Sequence, residues 1–430
     1  MADKMGQLTI GLSMIVKDES HVILRVLNSI YKYIDYWAIV DTGSTDGTQD
    51  IIKNFFAEKN IPGELIQSEW VDNFSTSRNM TLEAVEKVTE YGIWIDADEE
   101  FITMPGFSMK MTLTSGLDTI SIPTKYGGVE YTRKSIWKCG RGFRWSGPIH
   151  EILASPTEGP GGILNGAHVF VRAEGNSWKD VKAKYTSHAQ ILEKYVETDK
   201  DARWVFYTAQ SWRDAGEHQK SFDWYEKRSK MNEGFQEEIF FSKFMMAKLA
   251  EIMNKERPIV VSLYTDAHRT DPVRGESIKS LVQYLQRLGD WETSYVYSKY
   301  GLRYNLKNPY PERILFIDNR LYQFEMMELH SVSCFQTGRM EEASVAFWQF
   351  KKQLLPDSLN PQQVEVMNKN EQFFLPYEKV KHYFDKGGIQ ALDSGIVPAA
   401  QHNNQPGFHQ NNPNQRRGSN YTPPKKKRKK

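Results

Sequence analysis

The stretch GIWIDADEEF, residues 92–101, runs three large apolar residues out of a glycine and then sets four carboxylates within five positions. The apolar run reads as a buried strand, and the acids fall where it ends. Two carboxylates at i and i+2, Asp96 and Asp98, repel each other unless a donor engages one of them or a cation lies between them. A hydrated divalent metal carrying a diphosphate satisfies that arrangement; a solvated acidic turn that caps a helix is the plainer alternative. What stands upstream decides between them.

Working back from Gly92, short β-type runs alternate with helical ones: LTIGLSMIV, HVILRVLNSIYKY, YWAIVD, TQDIIKNFFAEK, GELIQSEW, STSRNMTLEAVEKV, YGIWID. Strict alternation argues for a parallel sheet covered by helices, a Rossmann-like α/β domain. Ligands in such sheets sit beyond the carboxyl ends of the strands. The polar residues there are Lys17-Asp18-Glu19, the turn Asp41-Thr-Gly-Ser-Thr-Asp-Gly47, and Asp96-Ala-Asp98. Arg78 and Asn79 open an amphipathic helix between the second and third of these.

Working forward, residues 101–171 lose the helical period and read as an antiparallel extension over the open end of the sheet. Residues 179–355 turn helical and aromatic-rich. Gly216, Gly289 and Gly338 each divide two apolar-periodic stretches, and a small residue, Ser221, Ser294 or Ala343, follows five positions later. That shared register suggests stacked helix hairpins of the tetratricopeptide sort, with an irregular helical bundle as the alternative. The expected domains are 1–175 (α/β), 176–390 (helical) and 391–430, a segment of Asn, Gln, Pro and His ending in PPKKKRKK that is expected to be disordered.

Composition excludes several classes. No run approaches the ~20 apolar residues of a spanning helix, and the first residues show no secretory pattern. Cys139 and Cys334 are the only cysteines, so no disulfide framework is expected and the setting is read as intracellular and cytoplasmic. The net charge of +1 conceals +8 on Arg416, Arg417 and residues 425–430, which leaves about −7 on residues 1–415. An acidic body with a basic tip does not predict a broad nucleic-acid surface. The tip resembles a nuclear import signal and can also be read as a flexible polycation for an import receptor or another polyanion.

In this order and spacing, SMIVKDES, VDTGSTDGT, FSTSRNMTL and WIDADEEF resemble the family-two glycosyltransferases of GT-A fold, in the branch with C-terminal tetratricopeptide-like helices. The resemblance is dense over residues 8–101 and looser to about residue 230. It implies a metal-dependent, inverting transferase that moves a sugar from a nucleoside-diphosphate sugar, a UDP-sugar by expectation, to an acceptor such as a glycan, a protein or a modified base. It further implies that Asp41 reads the base and Arg78 helps hold the nucleotide. Val16, Asp18 and Glu19 border the same pocket, and Asp96 lies near ribose and metal. Asp98 coordinates Mn2+ or Mg2+, with His168 as a late metal ligand. Glu151, in GPIHE beside His150, is the candidate general base, and Trp137 and Trp145 are candidates to stack on a sugar. Two other readings stay open: a non-catalytic nucleotide-sugar-binding helical-repeat scaffold, and a transferase acting on modified nucleic acid.

Overall fold

A computed structural model describes residues 8–113, 116–127, 129–304, 313–353 and 361–374. The expected tail and its basic run lie outside the described residues. β1 (Ile10–Val16), α1 (Ile23–Ile30), β2 (Tyr36–Asp41), α2 (Thr48–Lys59), β3 (Gly63–Gln67), α3 (Phe74–Glu86) and β4 (Tyr91–Trp94) follow one another in the expected alternation. They form a parallel sheet in the order β3-β2-β1-β4. The period of two in β1 divides its faces. Ile10, Leu12, Met14 and Val16 join the core with Ile23, Val26, Leu27 and Phe56 of α1 and α2. On the other face Ser13 Oγ meets Thr81 Oγ1 of α3 at 2.6 Å, and a Cβ on Gly11 would lie 2.6 Å from Val85.

The sheet continues through β5 (Glu99–Thr103), a short α4 (Met109–Leu113), β6 (Thr119–Tyr126) and β7 (Val129–Lys138). β8 (Arg144–Ser146) and β9 (Ile152–Ala154) pair separately, while β10 (Gly161–Ile163) and β11 (Ala167–Val171) return to the main sheet. Its order is β3-β2-β1-β4-β7-β6-β11-β5, with β10 also on β6. The extension is mixed rather than antiparallel. β7 runs against β4 and β6, and β11 against β5, but β10 and β11 run parallel to β6 because the chain between them is long enough to cross over. Trp137 is fully buried under Gly92, where any Cβ would fall 2.1 Å from its ring. The glycine that opens GIWIDADEEF thus makes room for that indole, which is core and not available to a sugar.

Helices follow: α5 (Val181–Thr198), α6 (Ala202–Asp214), α7 (His218–Ser229), α8 (Glu237–Ile252), α9 (Arg257–Thr270), α10 (Glu276–Arg287), α11 (Trp291–Gly301), α12 (Met326–Gln336), α13 (Met340–Gln353) and α14 (Pro361–Phe374). One compact unit takes in the strands and the helices up to Tyr284, with the segment ending at Asn319; a second takes Leu285 onward and resumes at Arg320. Compactness therefore does not break between strands and helices: α5 to α9 belong with the sheet.

The glycine register has a structural cause. Gly216, Gly289 and Gly338 have φ of 79°, 70° and 75°. The next residue in each case donates its N–H five residues back: Glu217 to Trp212, Asp290 to Leu285, Arg339 to Cys334. This is a helix end closed by a left-handed glycine, repeated three times. Ser221, Ser294 and Ala343, five residues on, are fully buried. Ser221 Oγ donates to Ala209 O across the α6–α7 pair at 2.8 Å.

Candidate functional site

The carboxyl ends of β1, β2 and β4 open into a cavity of about 1040 Å³. Val16, Glu19, Arg78, Asp96, Asp98 and Glu151 line it together, drawn from four separate stretches of the chain. Asp18, Asp41 and His168 do not line it.

Asn73 caps α3 by accepting the Thr76 N–H at 3.2 Å, which fixes the first turn from which Arg78 projects. The Arg78 guanidinium lies 4.6 Å from the Trp94 ring and 5.0 Å from the Trp145 ring. Its Nε donates to Glu151 Oε1 and its Nη2 to Asp96 Oδ1, the latter at 3.0 Å. Arg133 of β7 lies 4.0 Å from the Trp94 ring, donates to both oxygens of Glu99 at 2.8 and 2.6 Å, and sits 3.7 Å from Asp96 Oδ2. The result is a chain of alternating charge, Glu151–Arg78–Asp96–Arg133–Glu99. Burial works against the Arg78 charge, but Asp96 and Glu151 outweigh it and hold the guanidinium protonated. Burial would raise Asp96, yet Arg78 and Arg133 keep it below the usual carboxylate range. Burial dominates at Glu99 and pushes it up despite Arg133.

This alters two expectations. Arg78 has two of its three nitrogens committed to protein carboxylates, so it ties the site together where the sequence suggested a nucleotide grip. Asp96, held by two arginines, is poorly placed to take a metal. Glu99 Oε2 accepts the Asp96 N–H at 2.9 Å and closes the turn, and Glu100 pairs with Arg172 at 2.6 Å.

Asp98 is different. Its Oδ2 accepts the Trp178 indole N–H at 3.0 Å, and burial followed by repulsion from Asp96 raises its pKa. Beside it, Glu19 is pushed up to about 7, by burial first and by Asp98 among the charges. A Cβ on Gly175 would lie 3.1 Å from both Asp98 Oδ2 and Glu19 Oε1, so the glycine is what lets the backbone pass this close to the pair. Glu19 accepts the Asn176 N–H with both oxygens, at 3.1 and 3.2 Å. These two desolvated carboxylates, Asp98 raised by burial and by Asp96, Glu19 raised by burial and by Asp98, form a hard oxygen donor set that fits Mg2+ or Mn2+. His168 does not join it. The period of two on β11 puts His168 on the face opposite Val171, which lines the cavity; its charged neighbours are Lys125 and Glu130, and burial lowers its pKa.

The first two loops are stitched together. Asp18, at φ 55°, takes the Thr45 N–H at 2.8 Å and donates its own N–H to Ser44 Oγ at 2.9 Å. Glu19 N–H donates to Thr48 Oγ1 at 2.8 Å. Asp18 is therefore a loop fastener. Asp41, 1% exposed, accepts with Oδ1 from the Gly43 and Ser44 amides and the Gln49 side chain, at 2.9, 2.8 and 3.1 Å. Its Oδ2 is buried with no partner among the described residues. An orphaned carboxylate oxygen is costly unless a ligand donor completes it. Thr42, the next residue, lines the cavity.

Residues beyond the sheet close the opposite wall. The Lys184 ammonium lies 3.6 Å from the Trp178 ring centroid. His150, at φ 55°, stacks on Tyr207 at 4.2 Å, and Arg203 Nη2 donates to its carbonyl at 3.1 Å. Burial, then the charges of His188, Arg203 and Lys184, lowers His150 to about 3; burial and Lys184 lower His188 to about 4. Both imidazoles are neutral at physiological pH. No motif in the sequence marks Arg133, Trp178, Lys184 or Arg203, which reach the cavity from 34 to 104 residues beyond Glu99 in strand, turn and helix contexts shared by many surface residues.

Among the described residues the one cluster of three metal-type donors with ligand atoms all within 4.8 Å of one another lies elsewhere, at His330, Cys334 and Glu342. There Glu342 already meets Lys299 at 3.2 Å and Tyr295 Oη at 3.0 Å; burial would raise its pKa, but His330 and Lys299 outweigh it and lower the carboxyl to about 2. Those contacts balance its charge within the protein.

Among known proteins, a TPR repeat-containing protein of Synechococcus elongatus is 30% identical over 152 residues, 34% of this chain and 35% of that protein. The SPbeta prophage-derived glycosyltransferase SunS of Bacillus subtilis is 22% identical over 272 residues, 61% of this chain and 63% of that protein. The chain thus spans about a third of the first relative's length and under two thirds of the second's. A solved structure of MamA (AMB-1) is 16% identical, with a TM-score of 0.30 over 43% of this chain and 89% of that one, too low to speak to the fold. Residues 12–104, from the first strand through the acids of GIWIDADEEF, match Glycosyl transferase family 2, so the chain carries a family-two glycosyltransferase domain.

Proposed function

We propose that the chain is a metal-dependent, inverting glycosyltransferase that uses a nucleoside-diphosphate sugar, of UDP type, in the cavity at the carboxyl ends of the strands. The observation that carries this reading is the pair Asp98 and Glu19 with Glu151 in the same cavity, joined to the acid turn through Arg78. Asp41 does not itself line the cavity, but it precedes Thr42, which does, and its orphaned Oδ2 is assigned an N–H of the base, as the uracil N3–H offers. Asp98 and Glu19 hold a divalent cation, which when bound supplies charge stabilisation for the departing diphosphate.

Glu151 is the general base. Its Oε1 is engaged by Arg78, and Oε2 has no protein partner among the described residues. The acceptor proton passes to Oε2 as the acceptor oxygen bonds to the anomeric carbon. The bond from that carbon to the phosphate oxygen breaks, and the nucleoside diphosphate leaves. Arg78 fixes Glu151 relative to Asp96 and does not itself bind substrate. Trp145 borders this region, but its face is turned to Arg78.

The test is a thermal-shift and calorimetric screen of UDP, GDP, ADP and dTDP, with and without Mn2+. UDP should stabilise the protein most and should lose at least tenfold in affinity when Mn2+ is chelated. Metal-independent binding would overturn the cation site, and preference for a purine diphosphate would overturn the UDP assignment.

A further inference from the structure

A nucleoside diphosphate brings at least two negative charges, and the floor of the cavity already carries Glu19, Asp96 and Asp98. Cations must offset both, yet most of those in the cavity are already spent within the protein. Arg78 serves Asp96 and Glu151, Arg133 serves Glu99 and Asp96, and Lys134 pairs with Glu158 at 2.6 Å. Arg203 turns a nitrogen to the His150 carbonyl, and Lys17 is exposed.

Lys184 stands apart. It projects from α5, lines the cavity, and has no carboxylate within ion-pair distance among the described residues. Burial is the main influence on its ammonium and lowers its pKa; the charges that act against this are Asp98 and Asp96. A partly desolvated ammonium without an ion-pair partner is unfavourable unless something offsets it. Here that is the Trp178 ring, with the ammonium 3.6 Å from its centroid, while the same indole's N–H is bound to Asp98 Oδ2 at 3.0 Å. Trp178 therefore acts as a spacer. It keeps Lys184 beside the Asp98 carboxylate without letting the two collapse into a salt bridge, which leaves the carboxylate for a metal and the ammonium for an anion.

We propose that Lys184 is a donor-binding residue: its ammonium contacts the diphosphate, so that the first helix after the sheet completes a site the sheet begins. The inference rests on the reading that a nucleoside-diphosphate sugar binds in this cavity. It also gives α5 a role in the donor site, in addition to any part the helices play toward an acceptor.

Calorimetry on the full chain tests it, with UDP, GDP, ADP and dTDP and their matched nucleosides in Mn2+, using wild type, Lys184→Met, Lys184→Gln and Lys184→Arg. The preferred diphosphate should bind Lys184→Met and Lys184→Gln about 10- to 50-fold more weakly, as expected for loss of one charge-assisted contact. Its nucleoside should bind all four proteins alike, and Lys184→Arg should recover to within about threefold of wild type. Diphosphate affinity unchanged in both neutral variants, or an equal loss for diphosphate and nucleoside, overturns the role of Lys184 and leaves the donor site standing. Wild type that binds none of the four diphosphates overturns the donor reading and this inference with it.

Discussion

Arg78 and Glu151, 73 residues apart, are joined by a hydrogen bond from Nε to Oε1, and the same guanidinium holds Asp96 Oδ1 at 3.0 Å. One buried arginine thus sets the candidate base against the acid turn. Removing it strands two carboxylates. Arg78→Leu should destabilise the protein by about 3–5 kcal/mol, the usual cost of breaking a buried pair. Arg78→Lys should keep part of that stability but lose the two-sided geometry, since an ammonium cannot reproduce the planar fork. Urea denaturation with parallel turnover assays reads both effects.

Glu151→Gln retains an acceptor for Arg78 and removes only the capacity to take a proton. Turnover should fall by about 10²- to 10⁴-fold, with a melting temperature close to wild type and an unchanged affinity for the nucleoside diphosphate. A melting temperature that falls together with turnover would mean that Glu151 acts only as a strut for Arg78.

Asp41→Asn keeps one oxygen for the Gly43 and Ser44 amides and turns the orphaned acceptor into a donor facing the base N–H. A lost hydrogen bond to a charged group is worth about 1.5–3 kcal/mol. Calorimetry should therefore show nucleoside affinity falling by one to two orders of magnitude.

Gly175 has φ −62°, so alanine strains no backbone there. Its methyl would instead press on Asp98 and Glu19 at 3.1 Å. Gly175→Ala should cost about 1–3 kcal/mol through overpacking and should weaken Mn2+ affinity more than it weakens nucleoside affinity. Metal titration against nucleoside titration separates the two.

His188 is lowered to about 4, by burial first and by Lys184 second, from an ordinary value of 6.5. The unfolded chain binds the extra proton across that interval, so stability rises with pH from about 4 to 6.5 and is lost as pH falls through the same window. Melting temperatures should drop on acidification from pH 6.5 to 4. His188→Gln should flatten that slope, by an amount on the order of 2–4 °C.

The sequence made the first half of the sheet readable because β1, β2 and β4 are apolar runs whose ends carry the polar turns. Asp41, Asp96 and Asp98 then reach the carboxyl end of the sheet by chain order alone. Four features were not readable, and each depends on long-range packing. Arg133 meets Asp96 only because β7 pairs with β4, a register no local pattern encodes. His168 looked like a ligand because strand parity relative to the cavity cannot be fixed until β11 has a partner. Trp137 looked like a sugar platform, but it fills the space Gly92 leaves in the sheet. Lys184 carried no signal at all; its meaning comes from Trp178 and, through it, from Asp98.

Nucleoside diphosphate released from a panel of nucleoside-diphosphate sugars, in Mn2+ and with cell extract as the acceptor source, bears most directly on the proposed activity. Wild type should release diphosphate from at least one donor, and Asp98→Asn, still folded by its melting curve, should do so at less than about a hundredth of the rate. Binding of donors without release by wild type would make the domain a nucleotide-sugar reader, and equal release by Asp98→Asn would contradict the site described for the reaction.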